Sequence, residues 1–120
     1  MNDEKERTDF EPIEVRAPQG ARVMEIEWSD GVTTSHPHAI LRGFCPCAHC
    51  QGHQGPLLWT GDAEGNALEI SSLDQVGNYA MRVSWADGHS TGIYTWVHLR
   101  TLGALAERPI EEVRRARMGR

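Results

Sequence analysis

Apolar and polar residues alternate most regularly from Val23 to Trp28, where Met24, Ile26 and Trp28 interleave with Glu25 and Glu27. A period of two predicts a strand with the three apolar residues on one sheet face and the glutamates on the other. Asp30-Gly31 follows, and then the β-prone run Val32-Thr33-Thr34. An Asp-Gly pair between two such runs predicts a hairpin closed by a two-residue type I′ turn, which needs positive φ at both central positions. In that register Trp28 faces Thr33 across the ladder. The pattern then returns: Met81 to Thr91 aligns with Met24 to Thr34 without a gap, Trp85 matching Trp28 and Asp87-Gly88 matching Asp30-Gly31. Both copies run on to a Leu-Arg pair, Leu41-Arg42 and Leu99-Arg100, one residue later in the second copy. This predicts two similar hairpins packed in one domain about a pseudo-twofold axis. Trp28 and Trp85 read as core anchors, and Asp30 and Asp87 as turn residues rather than an acid–base pair. The copies differ at the shoulder of the turn, where Val32 in the first becomes His89 in the second.

The remaining segments are less regular. Residues 1–11 are polar, charged and non-periodic and read as a disordered lead-in. Pro12 to Arg16 reads as an edge strand ended by Pro18-Gln19-Gly20. Gln51 to Gly55 reads as a loop and Leu68-Glu69-Ile70 as a short strand. Ser71 to Gly77 resembles one capped helical turn, with Ser71 or Ser72 as N-cap and Gly77 as stop. Leu102 to Ala106 and Pro109 to Met118 read as short helices, with Pro109 at the first helical position, Glu111 and Glu112 in the first turn and arginines in the last. The expected class is α+β, mostly β: one domain over 12–106 and a charged helical tail over 107–120.

Composition changes this picture in two ways. A formal net charge of −5 argues against a nucleic-acid surface, which needs an excess of Lys and Arg. No apolar run of membrane-spanning length and no leader pattern is present, so a cytoplasmic location is expected. The three cysteines all lie between positions 45 and 50. An odd number in so short a stretch is a poor disulfide framework, because the loops it would close are tiny. The spacing points to metal or redox chemistry instead.

Cys45-Pro46-Cys47-Ala48-His49-Cys50 presents three thiols on one bend, and a tetrahedral zinc site needs four such donors. Pro46 fixes φ and lowers the entropy of presenting its neighbours. With no fourth cysteine, the fourth donor is a histidine. His49 would have to reach round its own backbone, and His53 stands on the loop after Cys50. His89 stands beside an Asp-Gly turn in the sister hairpin. Placement favours His89 over His53 and leaves both open. His36, His38 and His98 carry no spacing signal and read as surface or packing residues. Three thiolates and an imidazole fill a structural zinc shell and leave no position for substrate water, so no catalysis is expected. The alternative is an iron–sulfur or redox protein using the same cysteines. Cys-x-Cys-x-x-Cys with a later Asp-Gly-His resembles the CDGSH iron–sulfur motif. There the ligands share one short segment, whereas Cys50 and His89 are 39 residues apart, which favours a single ion.

These residues together resemble the DUF971 family, the γ-butyrobetaine hydroxylase-like N-terminal domain, over roughly Pro12 to Arg100. The likeness rests on Trp28-x-Asp30-Gly31, on Leu41-Arg42 leading into Cys45-x-Cys47-x-x-Cys50, and on Trp85-x-Asp87-Gly88-His89 with Gly92-Ile93-Tyr94 and Leu99-Arg100. The resemblance implies a zinc ion, one per chain, on Cys45, Cys47, Cys50 and His89. It also implies that oxygenase chemistry belongs to a separate C-terminal domain, which this chain stops short of. A similar domain accompanies Mrp-type P-loop ATPases, so the implied partner is such an ATPase or an oxygenase, and the implied role is protein interaction in metal metabolism or iron–sulfur assembly. Many members lack the cysteines, so the fold does not exist for zinc alone.

Overall fold

The computed structural model describes residues 10–52 and 55–119. Strands β1 (Pro12–Arg16), β2 (Val23–Trp28) and β3 (Thr33–Pro37) form one antiparallel sheet in that order and lead into helix α1 (His38–Gly43). A short helix α2 (Ala48–Gln51) and a 3₁₀ turn (Gly65–Leu68) follow. Strands β4 (Ile70–Val76), β5 (Ala80–Trp85) and β6 (Gly92–Thr95) form a second antiparallel sheet of the same order, leading into α3 (Trp96–Leu105); α4 (Ile110–Arg115) comes last. The repeating unit is thus larger than a hairpin: three strands and a helix, used twice. The expected α+β fold with two related hairpins is present.

Burial follows the alternation. Met24, Ile26 and Trp28 are fully buried while Val23, Glu25 and Glu27 are exposed. In β5 the counterparts Met81, Val83 and Trp85 are buried in the same way. Phe44, Tyr94, Leu41, Leu99 and Leu102 complete the core between the sheets and the helices. Each half inserts aromatic residues into the other: Trp96, at the start of α3, meets Trp28 edge-on at 6.4 Å, and His38, at the start of α1, meets Trp85 edge-on at 5.9 Å. Among the described residues no helix is long and apolar enough to cross a membrane.

Four expectations need correction. The turns are not type I′. Trp28 N–H donates to the Val32 carbonyl at 2.8 Å and Gly31 N–H to the Trp28 carbonyl at 3.1 Å, so the loop is the three residues Ser29-Asp30-Gly31. Gly31 has φ +89° and no described non-glycine residue has a positive φ, which Asp30 would need in a type I′ turn. Trp28 therefore lies opposite Val32, and Glu27, not Trp28, pairs with Thr33. The second hairpin repeats this, with Trp85 N–H donating to the His89 carbonyl at 2.8 Å and Gly88 at φ +98°.

Ser71 to Val76 is strand, not helix. Its half-buried residues Ile70, Leu73 and Val76 recur every third position: a bulge between Ile70 and Ser72 accounts for the first interval, and Leu73 and Val76 then lie on opposite faces of a regular ladder. That spacing imitates a helix, while pairing along β5 decides the conformation. Gly77 does end the segment, at φ +55°, as part of the turn to β5. Residues 65–68, partly read as strand, form the 3₁₀ turn.

The C-terminal helices are also shifted. Thr95 caps α3 by accepting the His98 N–H at 3.0 Å, so the helix begins six residues before Leu102. Pro109 is the N-cap of α4 rather than its first residue. The tail is anchored, with Val113 and Met118 in the core and Met118 paired to Leu57.

Finally, the lead-in is structured from Phe10 onward. Phe10 packs edge-on against Trp28 at 5.2 Å, and Glu11 exchanges hydrogen bonds with Ser29. Residues 1–9 of the lead-in lie outside the described residues.

Candidate metal centre

Helix α1 delivers the chain to Phe44 and Cys45, both fully buried. Cys47 caps α2: its sulfur accepts the Cys50 backbone N–H at 3.4 Å, which curls Cys50 back toward the other two thiols. Gln51 then pins the bend, donating to the carbonyls of Cys45 (3.1 Å) and Leu58 (2.8 Å) and accepting the Leu58 N–H (3.0 Å). From the other half, the β5–β6 turn brings in His89. Its Nε2 lies 3.3 Å from Cys45 Sγ, 3.7 Å from Cys47 Sγ and 3.6 Å from Cys50 Sγ. The four ligand atoms all lie within 4.8 Å of one another, close enough to hold a metal ion. His53, the other candidate for the fourth position, lies outside the described residues.

The surroundings treat the three thiols differently. Burial pushes the Cys45 thiol far up from its ordinary range, against an opposing hydrogen bond from the Cys47 backbone. Burial also raises Cys47, but hydrogen bonds from the Thr91 hydroxyl and from Cys50 outweigh it and leave Cys47 below its ordinary value. Cys50 is raised by burial and by its contact with Cys47. Three thiols of this kind favour a positive ion, because deprotonating them together in a half-buried pocket without one is unfavourable.

Several residues that sequence reasoning did not single out shape the centre. Tyr94 is fully buried behind Cys45, and its hydroxyl donates to the Leu41 carbonyl at 2.6 Å. His98 stacks on Tyr94 at 5.7 Å and reaches the Phe44 carbonyl at 3.3 Å. Gly92 matters because a Cβ there would stand 2.8 Å from Cys45 Sγ. Tyr94 and Gly92 were visible only as parts of a family pattern. His36, His38 and His98 prove to be packing residues, 1%, 1% and 8% exposed, and none joins the cluster.

A two-sheet pseudo-repeat with a Cys₃His cluster spanning its halves is the class that fold and site define. The profile of the family Gamma-butyrobetaine hydroxylase-like, N-terminal, matches residues 15–100, and the chain belongs to that family. A crystal structure of a DUF971-family protein from Acidithiobacillus ferrooxidans is 36% identical, with a TM-score of 0.60 over 78% of this chain and 93% of that one. A solution NMR structure is 27% identical, with a TM-score of 0.68 over 87% of this chain and 76% of the other. A second NMR structure, 22% identical with a TM-score of 0.65, shares the fold.

Proposed function

We propose that this chain is a zinc-binding module without catalytic activity of its own, which docks on a protein partner in metal or iron–sulfur metabolism. The observation that carries the zinc reading is the set of nitrogen–sulfur separations, 3.3, 3.7 and 3.6 Å. Zinc–sulfur bonds of about 2.3 Å and zinc–nitrogen bonds of about 2.0 Å at a tetrahedral angle put N and S about 3.5 Å apart. The three nitrogen–sulfur separations match those of one tetrahedral shell, which supports the zinc reading. A two-iron cluster would divide the same ligands between two ions and spread them further. A shell of four protein donors leaves no position for substrate or water, which supports a structural role over catalysis. The interaction role rests on that closed shell and on the family's association with larger enzymes.

Elemental analysis of the purified chain is expected to give about one zinc per molecule; iron with labile sulfide in comparable amount would overturn the assignment. His89→Ala is expected to weaken zinc binding at least tenfold, while His53→Ala retains the metal. Loss of zinc in His53→Ala with retention in His89→Ala would place the ion in a purely local loop. No succinate should form from 2-oxoglutarate with added iron and trimethylammonium substrates; turnover above that of a Cys47→Ser variant would refute the non-catalytic reading.

A further inference from the structure

The two Leu-Arg pairs of the repeat have a crossed arrangement. Arg42, on α1 of the first half, reaches the turn of the second half: its Nη1 and Nη2 lie 3.3 and 3.0 Å from the two carboxylate oxygens of Asp87. Arg100, on α3 of the second half, reaches the turn of the first, its Nη1 lying 3.3 and 3.1 Å from the carboxylate oxygens of Asp30. Each guanidinium also lies by the tryptophan that precedes that turn, Arg42 at 5.6 Å from the Trp85 ring and Arg100 at 5.3 Å from the Trp28 ring. The two clasps occupy corresponding places in the two halves, and only one of them adjoins the cysteines.

On that side the connections are short. Arg42 lies in the last turn of α1, three residues before Cys45, and it also donates to the Ala67 carbonyl at 3.0 Å. Asp87 is two residues before His89, and its Oδ1 accepts the His89 backbone N–H at 3.1 Å. One carboxylate therefore holds the histidine's backbone with one oxygen and, through both, the helix that leads into the cysteine bend. A bidentate Arg–carboxylate pair fixes orientation as well as distance. In the twin, Asp30 Oδ1 accepts the Val32 N–H at a longer 3.4 Å, and Val32 has nothing to ligate.

We propose that Arg42 and Asp87 are positioning residues for the metal: their clasp sets the spacing between His89 and the three thiols before the ion arrives. This rests on the metal-binding reading above. Without the clasp the ion must itself draw the two halves into register, and affinity falls by the cost of that ordering.

The pseudo-symmetric clasp supplies the control. Zinc affinity of the full chain is measured by competition with a chromogenic chelator, alongside thermal melts of the chelated protein, for Arg42→Gln, Asp87→Asn, Arg100→Gln and Asp30→Asn. Arg42→Gln and Arg100→Gln are expected to lower the metal-free melting temperature by similar amounts. Zinc affinity should fall tenfold or more in Arg42→Gln and Asp87→Asn, and less than twofold in Arg100→Gln and Asp30→Asn. Arg42→Lys keeps the charge but not the two-point clasp, and its affinity should fall with that of Arg42→Gln. Asp87→Asn is nearly isosteric on a solvent-accessible turn, so it keeps the test decisive if an Arg42 variant folds poorly. Equal losses on both sides, wild-type affinity in Asp87→Asn, or full affinity in Arg42→Lys would overturn the positioning role. A wild-type chain with no zinc affinity would overturn the metal reading itself, and this inference with it.

Discussion

Gly92 and Gly103 show how single positions separate two otherwise similar halves. The strand registers make Gly92 the counterpart of Thr34, since Val83 pairs with Gly92 where Ile26 pairs with Thr34. In the first half Thr34 is present, and a Cβ on Gly103 would stand 2.7 Å from its Cβ. In the second half the crowding is reversed: Cys45 fills the space, and Gly92 is the residue without a side chain. Trp28 Nε1 donates to Thr34 Oγ1 at 2.9 Å, whereas Trp85 Nε1 meets no hydrogen-bond partner among the described residues. The metal side has thus given up a buried hydrogen bond, which costs on the order of 1–3 kcal/mol, to make room for a thiol. Gly92→Ala should consequently displace the Cys45 sulfur and lower zinc affinity by at least tenfold, as chelator competition would read. Unchanged affinity would mean that the sulfur has room to retreat. Thr34 also bonds His36 Nε2 at 2.7 Å, and burial, aided by nearby His98, holds the His36 imidazole down to about 4. An unfolded histidine protonates at about 6.5, so between these values the unfolded chain takes up the extra proton. Stability therefore falls as pH drops through that window, by about 3 kcal/mol in full from this residue. Ring resonances of His36 followed by NMR should titrate at about pH 4; titration at the ordinary value would contradict its burial.

At the scale of elements, the turns carry a separate energetic signature. Nothing stands within 4 Å of a Cβ built on Gly31, yet its φ is +89°. Gly31→Ala should therefore cost about 1 kcal/mol from backbone conformation alone, and Gly31→Asn less, because asparagine tolerates the left-handed region. Denaturant titration of the two variants checks both the size and the order; equal stability of wild type and Gly31→Ala would mean the loop relaxes freely. The two hairpins, their core faces and the cysteine bend were legible in the sequence because each is a local pattern. Asp-Gly marked the turns correctly and their length wrongly, since it suits a three-residue loop with a left-handed glycine as well as a two-residue one. In β4 the serines and Gly77 read as a helix cap and stop, whereas pairing along β5 makes the segment a strand. Of the site, the four clustered residues were legible, with His89 suggested by its departure from the repeat. Their supports were not. Arg42 stood in plain view as half of a repeated Leu-Arg pair, but only the crossing of the halves shows which carboxylate it meets, and Gln51 carries no pattern at all.

The whole molecule is two βββα units joined by a hydrophobic core, by crossed clasps and by the ligand cluster, and these joints differ in strength. The core is extensive: Met24, Ile26, Trp28, Leu41, Phe44, Val83, Tyr94, Leu99, Leu102 and Val113 are all fully buried. Small zinc fingers unfold without metal because the ion supplies most of what holds them together. Here both sheets and the apolar core lie outside the cluster, and a bound zinc ion would contribute through linkage about 4 kcal/mol when free zinc exceeds the dissociation constant a thousandfold. Chelation should therefore lower the melting temperature while leaving one cooperative transition. Its local effect should be confined to what the cluster tethers. Gln51 bonds Cys45 and Leu58, and Thr60 bonds Gly43 by both its N–H (2.8 Å) and its hydroxyl (3.0 Å). The segment after α1 thus hangs on the cysteine bend at one end and on α1 at the other. Hydrogen exchange in the presence of chelator should accelerate over residues 44–52 and 86–92. The amides of β2 and β5, central strands in their sheets, should keep their protection. Loss of protection in both central strands on chelation would instead make the metal the keystone of the fold, and the hydrophobic interface between the halves insufficient to hold them together.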